Sequence, residues 1–137
     1  MNWEPLGTNH VLPGHGKLSY FALNHTVECY GFRFDWEERS LAYIMDTVAD
    51  RDADYVQHIK GVDVLIHDCY LPDSWQEFAR VTGHSHLSGV AQIAAKAEAG
   101  RLVLTHHNTA GLELDMESAR AIFPQTIKAY DGLEISF

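Results

Sequence analysis

Histidines and aspartates at the ends of apolar runs are the residues in this chain best suited to chemistry. His106 and His107 follow Leu102-Val103-Leu104, His67 and Asp68 follow Val62-Asp63-Val64-Leu65-Ile66, and Asp46 follows Leu41-Ala42-Tyr43-Ile44-Met45. His25 stands just before a fourth run, and His84 and His86 open the segment GHSHLSGVAQIA. Imidazole nitrogens and carboxylate oxygens are the ligands that Zn²⁺ and Mn²⁺ accept. Imidazole is also the side chain best placed to move a proton near neutrality. Nine histidines among 137 residues raise the weight of a metal site. A lone aspartate at a strand end is more often a turn or cap, and a lone histidine more often a surface group. The argument therefore rests on several of them converging.

The elements that must position these groups follow from periodicity. Short apolar runs of three to five residues read as buried strands: Tyr30–Phe34, Leu41–Met45, Val62–Ile66 and Leu102–Leu104, with Leu18–Leu23 a weaker strand leading to His25. The turn at Asp35–Arg39 makes the first two a hairpin. Val90, Ile93, Ala94 and Ala97 recur at helical spacing, predicting a helix over Leu87–Ala99 that stops at Gly100. Further helices are predicted over Asp50–Lys60, Pro72–Arg80 and Leu114–Phe123. Two short strands, Thr126–Ala129 and Leu133–Phe137, close the chain around an Asp131-Gly132 turn. Residues 1–17, rich in glycine and proline, read as an irregular segment. Strands alternating with helices define an α/β chain of one domain. In open α/β sheets ligands bind outside the carboxyl ends of the strands, where Asp46, Asp68 and His106 fall.

Composition narrows the partners. A hydrophobic content of 46%, with 21% charged residues, is ordinary for a soluble protein. No apolar run is long enough to span a bilayer, and no basic-then-apolar leader is present, so the sequence predicts a cytoplasmic protein without a membrane partner. Cys29 and Cys69 are isolated and read as buried free thiols. A net charge of −9 with scattered basic residues disfavours RNA or another polyanion as the obligatory partner.

Five segments in order carry a family resemblance: HTVECYGFRF (His25–Phe34), YIMDT (Tyr43–Thr47), VLIHDCY (Val64–Tyr70), GHSHLSGVAQIA (Gly83–Ala94) and LVLTHHN (Leu102–Asn108). Together with the closing AYDGLEI (Ala129–Ile135), they resemble the metallo-β-lactamase fold superfamily, in its ribonuclease Z and phosphodiesterase-like branch. The resemblance implies that His25, Asp46 and His106 are metal ligands, with Asp46 bridging two ions, Zn²⁺ or Mn²⁺. It implies that His84 is a catalytic, non-ligand histidine and Asp68 its acidic partner. Successive strand residues point oppositely, so only one of His106 and His107 can face the metals; the motif ends at His106.

The superfamily's H-x-H-x-D-H signature is absent from these residues. VLPGHG (Val11–Gly16) stands in the wrong order to replace it and reads as loop. The chain thus resembles the C-terminal αβ half of an αββα sandwich, either a fragment or one part of a paired protein. The activity implied is hydrolysis of phosphoric diesters. The interval from His25 to Asp46 is too short for the RNA-gripping arm of tRNA-processing members, which favours a small phosphodiester or nucleotide. The rival expectation is a catalytically silent assembly half that completes a site only with another chain, as a homo-oligomer or with a missing N-terminal half.

Overall fold

The alternation of apolar runs and helical segments is realised as one seven-stranded sheet whose strands lie side by side in chain order. The computed structural model describes residues 10–137. The strands are β1 (His10–Leu12), β2 (Gly16–Leu23), β3 (Cys29–Asp35), β4 (Ser40–Ile44), β5 (Val64–Asp68), β6 (Arg101–Thr105) and β7 (Thr126–Lys128). The first four pair antiparallel, and β4 through β7 are parallel. Antiparallel neighbours need only tight turns, and the predicted hairpin forms β3–β4, closed by Trp36 N–H on the Arg39 carbonyl at 2.8 Å. Parallel neighbours need crossovers. These are α1 (Tyr55–His58), then α2 (Gln76–Thr82) with α3 (Leu87–Lys96), then α4 (Met116–Ile122).

One face of the sheet makes the core. Phe21, Ala42, Ile44, Leu65, Leu102 and Leu104 alternate onto it and pack against Tyr55, Val56, Leu87, Val90, Ile93 and Ala119 from the helices. Ile93 has no exposed surface. Ile93→Ala should therefore cost about 2–5 kcal/mol, the usual loss for emptying a buried isoleucine site. The denaturant midpoint should fall with an unchanged slope; a shift below about 1 kcal/mol would show that α3 is not part of this core.

Four expectations need correction. Residues 10–17 are not irregular: His10–Leu12 pairs with Gly16–Leu18 as an edge hairpin around a 3₁₀ turn at Pro13–His15, while residues 1–9 lie outside the described part. The helix expected over Asp50–Lys60 is one turn long, because the Asp50 carboxylate accepts the Asp52 N–H at 2.8 Å and holds a local turn instead. Leu133–Phe137 forms no strand. The Asp131-Gly132 turn is present, but beyond it the chain is held by Arg101 Nη1 on the Ser136 carbonyl and by Arg39 against the Phe137 ring. Only Cys69 is a buried thiol; Cys29 is half-buried. Among the described residues no helix is long and apolar enough to cross a membrane.

Candidate metal centre

The parallel half of the sheet builds the site. Register places Ile44, His67 and Leu104 side by side on β4, β5 and β6, and Asp68 beside Thr105. The chain leaves these strands at one edge, so Asp46, Asp68 and His106 emerge together. Asp46 and His106 both adopt left-handed backbone, with φ of +53° and +55°. That conformation is uncommon outside glycine and is tolerated best by Asp, Asn and His. Such backbone persists where the surrounding structure over-determines it, and it concentrates at functional sites.

His84 enters from the loop between α2 and α3. Gly83 ends α2 at φ +81°, and a Cβ there would lie 2.5 Å from His25 Nδ1. Glycine therefore serves both the turn and the close approach. The following residue anchors the loop: Ser85 Oγ donates to the Thr47 carbonyl at 2.7 Å, and Tyr70 N–H donates to the Ser85 carbonyl at 3.0 Å. His25 comes from the β2–β3 connection. Its Nδ1 donates to the Gly83 carbonyl at 2.8 Å, which leaves Nε2 as the free ligand atom. A metal-binding histidine is commonly oriented this way, through its other ring nitrogen.

Asp46, Asp68, His84 and His106 each bring a ligand atom within 4.8 Å of the others. His106 Nδ1 lies 3.3 Å from Asp46 Oδ1 and 4.0 Å from Asp68 Oδ2. His84 Nδ1 donates to Asp68 Oδ2 at 3.1 Å and lies 3.8 Å from Asp46 Oδ1. His25 stands outside this group of four, its ring centroid 5.3 Å from that of His84. His107 turns away, its Nδ1 on the Cys69 carbonyl at 3.2 Å; both histidines lie past the end of β6, where the left-handed turn at His106, rather than strand alternation, separates them. Burial lowers its pKa, and burial also lowers that of His86.

Asp68 is wholly buried. Burial alone would raise its pKa, but the His67 ring beside Oδ1 and the hydrogen bond from His84 overcome this and hold the carboxyl well below the usual range. The hydrogen bond to Asp68 raises the pKa of His84 in return. Two residues escaped the reading of the sequence. Tyr70 stacks on His84 with centroids 4.6 Å apart and leans on His106 at 5.6 Å. Its place directly after His67-Asp68-Cys69 was the one available signal. Tyr55 gave no signal, since it looked like an ordinary core aromatic.

The donor set fits a divalent cation. It offers two carboxylates and imidazole nitrogens, and Asp68 Oδ1 is buried without a hydrogen-bond partner. Beside it, a cleft of about 510 Å³ opens along the sheet face opposite the core, lined by Cys29, Tyr30, Phe32, Tyr43, Asp46 and His106. The site's exposed groups thus look toward the face the helices leave uncovered.

A mixed sheet backed by helices, with aspartates and histidines gathered at the ends of its parallel strands, is the arrangement of metallo-β-lactamase-fold proteins. The chain belongs to the beta-lactamase superfamily domain family, which residues 6–107 match. Ribonuclease BN of Citrobacter koseri is 27% identical over 172 aligned positions, covering 86% of this chain and 56% of the relative. The fold superposes on human tRNase Z, short form, with a TM-score of 0.74 at 23% identity, covering 94% of this chain and 47% of that one. A diphosphatase from the PhnP family gives a TM-score of 0.69 at 25% identity, covering 95% and 46%. The chain therefore spans about half the length of the relatives it matches.

Proposed function

We propose that this chain is the C-terminal half of a metal-dependent, cytoplasmic hydrolase of phosphoric diesters. The observation that carries the reading is the convergence of Asp46 and His106 beside a His84 already bonded to buried Asp68. Asp46, His106 and the free Nε2 of His25 would hold Zn²⁺ or Mn²⁺, two ions when the site is complete. The ions would supply an activated water and a counter-charge for the displaced oxygen. His84, its pKa raised by Asp68, would then carry the proton delivered to the leaving group. Burial of Asp68 keeps water from competing with His84 for Oδ2.

A small phosphodiester or nucleotide suits the site better than a tRNA precursor. The chain carries a net charge of −9, and the His25-to-Asp46 interval holds only the β3–β4 hairpin and its flanks. An alignment of 172 positions to ribonuclease BN against a chain of 137 residues requires insertions in the relative. The second reading is an assembly half that is silent alone, and the half-exposed Tyr43, at 41% of its surface, on the uncovered face favours it.

The test is His84→Ala in the assembled, metal-loaded protein acting on an activated aryl phosphodiester. Loss of a positioned general acid should lower kcat by about 10²- to 10⁴-fold with metal content unchanged. If metal is lost as well, His84 is a ligand; if turnover is unchanged, its role is structural and the reading fails.

A further inference from the structure

Behind the site lies a fully buried histidine that the proposed chemistry does not use. His67 has no exposed surface, and Tyr55 is only 3% exposed. A polar ring placed there must satisfy both nitrogens or forfeit stability, and this one does. His67 Nδ1 is 2.8 Å from the backbone carbonyl of Asp68, and Nε2 is 2.9 Å from the Tyr55 hydroxyl.

The directions of these bonds follow from chemistry. A carbonyl only accepts, so His67 Nδ1 carries the proton. Nε2 of the neutral ring is then an acceptor, and the Tyr55 hydroxyl must donate to it. Burial pushes the Tyr55 phenol far above its ordinary pKa, so its proton is always present. The same His67 Nδ1 also lies 3.5 Å from Asp68 Oδ1, the oxygen with no hydrogen-bond partner of its own. Asp68 therefore sits between two imidazole N–H groups: Oδ1 faces His67, and Oδ2 takes the proton of His84 Nδ1 at 3.1 Å.

We propose that His67, locked by Tyr55, is a positioning residue that fixes the Asp68 carboxylate and through it holds His84 in the Nδ1–H form, with the lone pair on Nε2. Its functional meaning rests on the phosphodiester reading above; its physical content does not. Without the His67 ring facing Oδ1, the Asp68 carboxyl is free to rotate, and the Oδ2 acceptor that selects the Nδ1–H form of His84 is no longer held in place.

The test is the tautomer ratio of His84 in the metal-free full chain, read from long-range ¹H–¹⁵N correlations of the imidazole rings under conditions where they are neutral. In the parent chain both His67 and His84 should be Nδ1–H. Tyr55→Phe removes one hydroxyl with little change in volume, and the His84 ratio should shift toward Nε2–H. His67→Leu should shift it further, by several-fold, because the whole ring that faces Asp68 Oδ1 is removed. An Nε2–H His84 in the parent chain overturns the proposal. So does an unchanged ratio in folded Tyr55→Phe, whether or not His67→Leu folds. Because neither metal nor substrate is present, a chain inert toward phosphodiesters can still pass, and an active one can fail.

Discussion

Asp46→Ala is expected to abolish metal binding, where loss of any other single group around the site should only weaken it. Asp46 Oδ1 lies 3.3 Å from the Nδ1 of His106, closer than the Asp68 carboxylate, and it also faces His84 Nδ1 at 3.8 Å. The alternative carboxylate, Asp68, is already committed to His84 and has no exposed surface. In the proposed centre Asp46 would serve both ions, so its removal would take a ligand from each. Outer groups that merely orient ligands cost about 10- to 100-fold in metal affinity, and a shared ligand should exceed that. The parent chain offers three of the ligands proposed here and should bind Zn²⁺ or Mn²⁺ weakly, because closed sites need about four. Calorimetric titration of both proteins with each metal reads the difference. Two tightly held equivalents in the isolated parent would contradict the incomplete site, and unchanged weak binding in Asp46→Ala would remove Asp46 from it.

The apolar runs of the sequence were enough for the parallel half of the sheet. Leu41–Met45, Val62–Ile66 and Leu102–Leu104 anticipate β4, β5 and β6 within two residues at each end, because strands buried on a sheet interior are written as continuous hydrophobic residues. Strand-end chemistry then drew attention to Asp46, His67-Asp68 and His106-His107, while the choice of Asp68 and His106 among them came from the family resemblance. What the sequence hid has physical causes. β1 was masked by Pro13 and Gly14, which mark a turn but say nothing of the strands on either side. The Asp50–Lys60 helix failed because alternating aspartates compete for backbone N–H groups, a local effect that outweighs the spacing of Tyr55, Val56 and Ile59. The left-handed turns at Asp46 and His106 leave no mark on composition. The pairing of Tyr55 with His67 joins residues whose partnership depends on α1 docking behind β5.

The isolated chain should associate through the sheet face opposite the helices. Cross-strand register aligns Tyr20, Phe32, Tyr43, Ile66, Val103 and Ile127 in one apolar row on that face. None belongs to the core cluster on the helix face; Tyr43 is 41% exposed, Tyr20, Phe32, Ile66 and Ile127 are half-buried, and Val103 is covered by its neighbours. With strands about 4.8 Å apart and a rise of about 3.3 Å per residue, the row and the five-residue strands β5 and β6 define a footprint of roughly 25 by 16 Å. That flat area of about 400 Å² falls within the largest apolar patches that monomers expose. It is also below the roughly 800 Å² per partner of a stable interface. Self-association should therefore be weak and concentration-dependent, whereas a complementary half that also wraps the cleft would bind more tightly. Light scattering across a concentration series should show a rising mass, and Tyr43→Lys should suppress it by placing a charge at the centre of the row. A monomer at every concentration, with no binding of an apolar dye, would show that the chain covers this face itself and that it is not half of a sandwich.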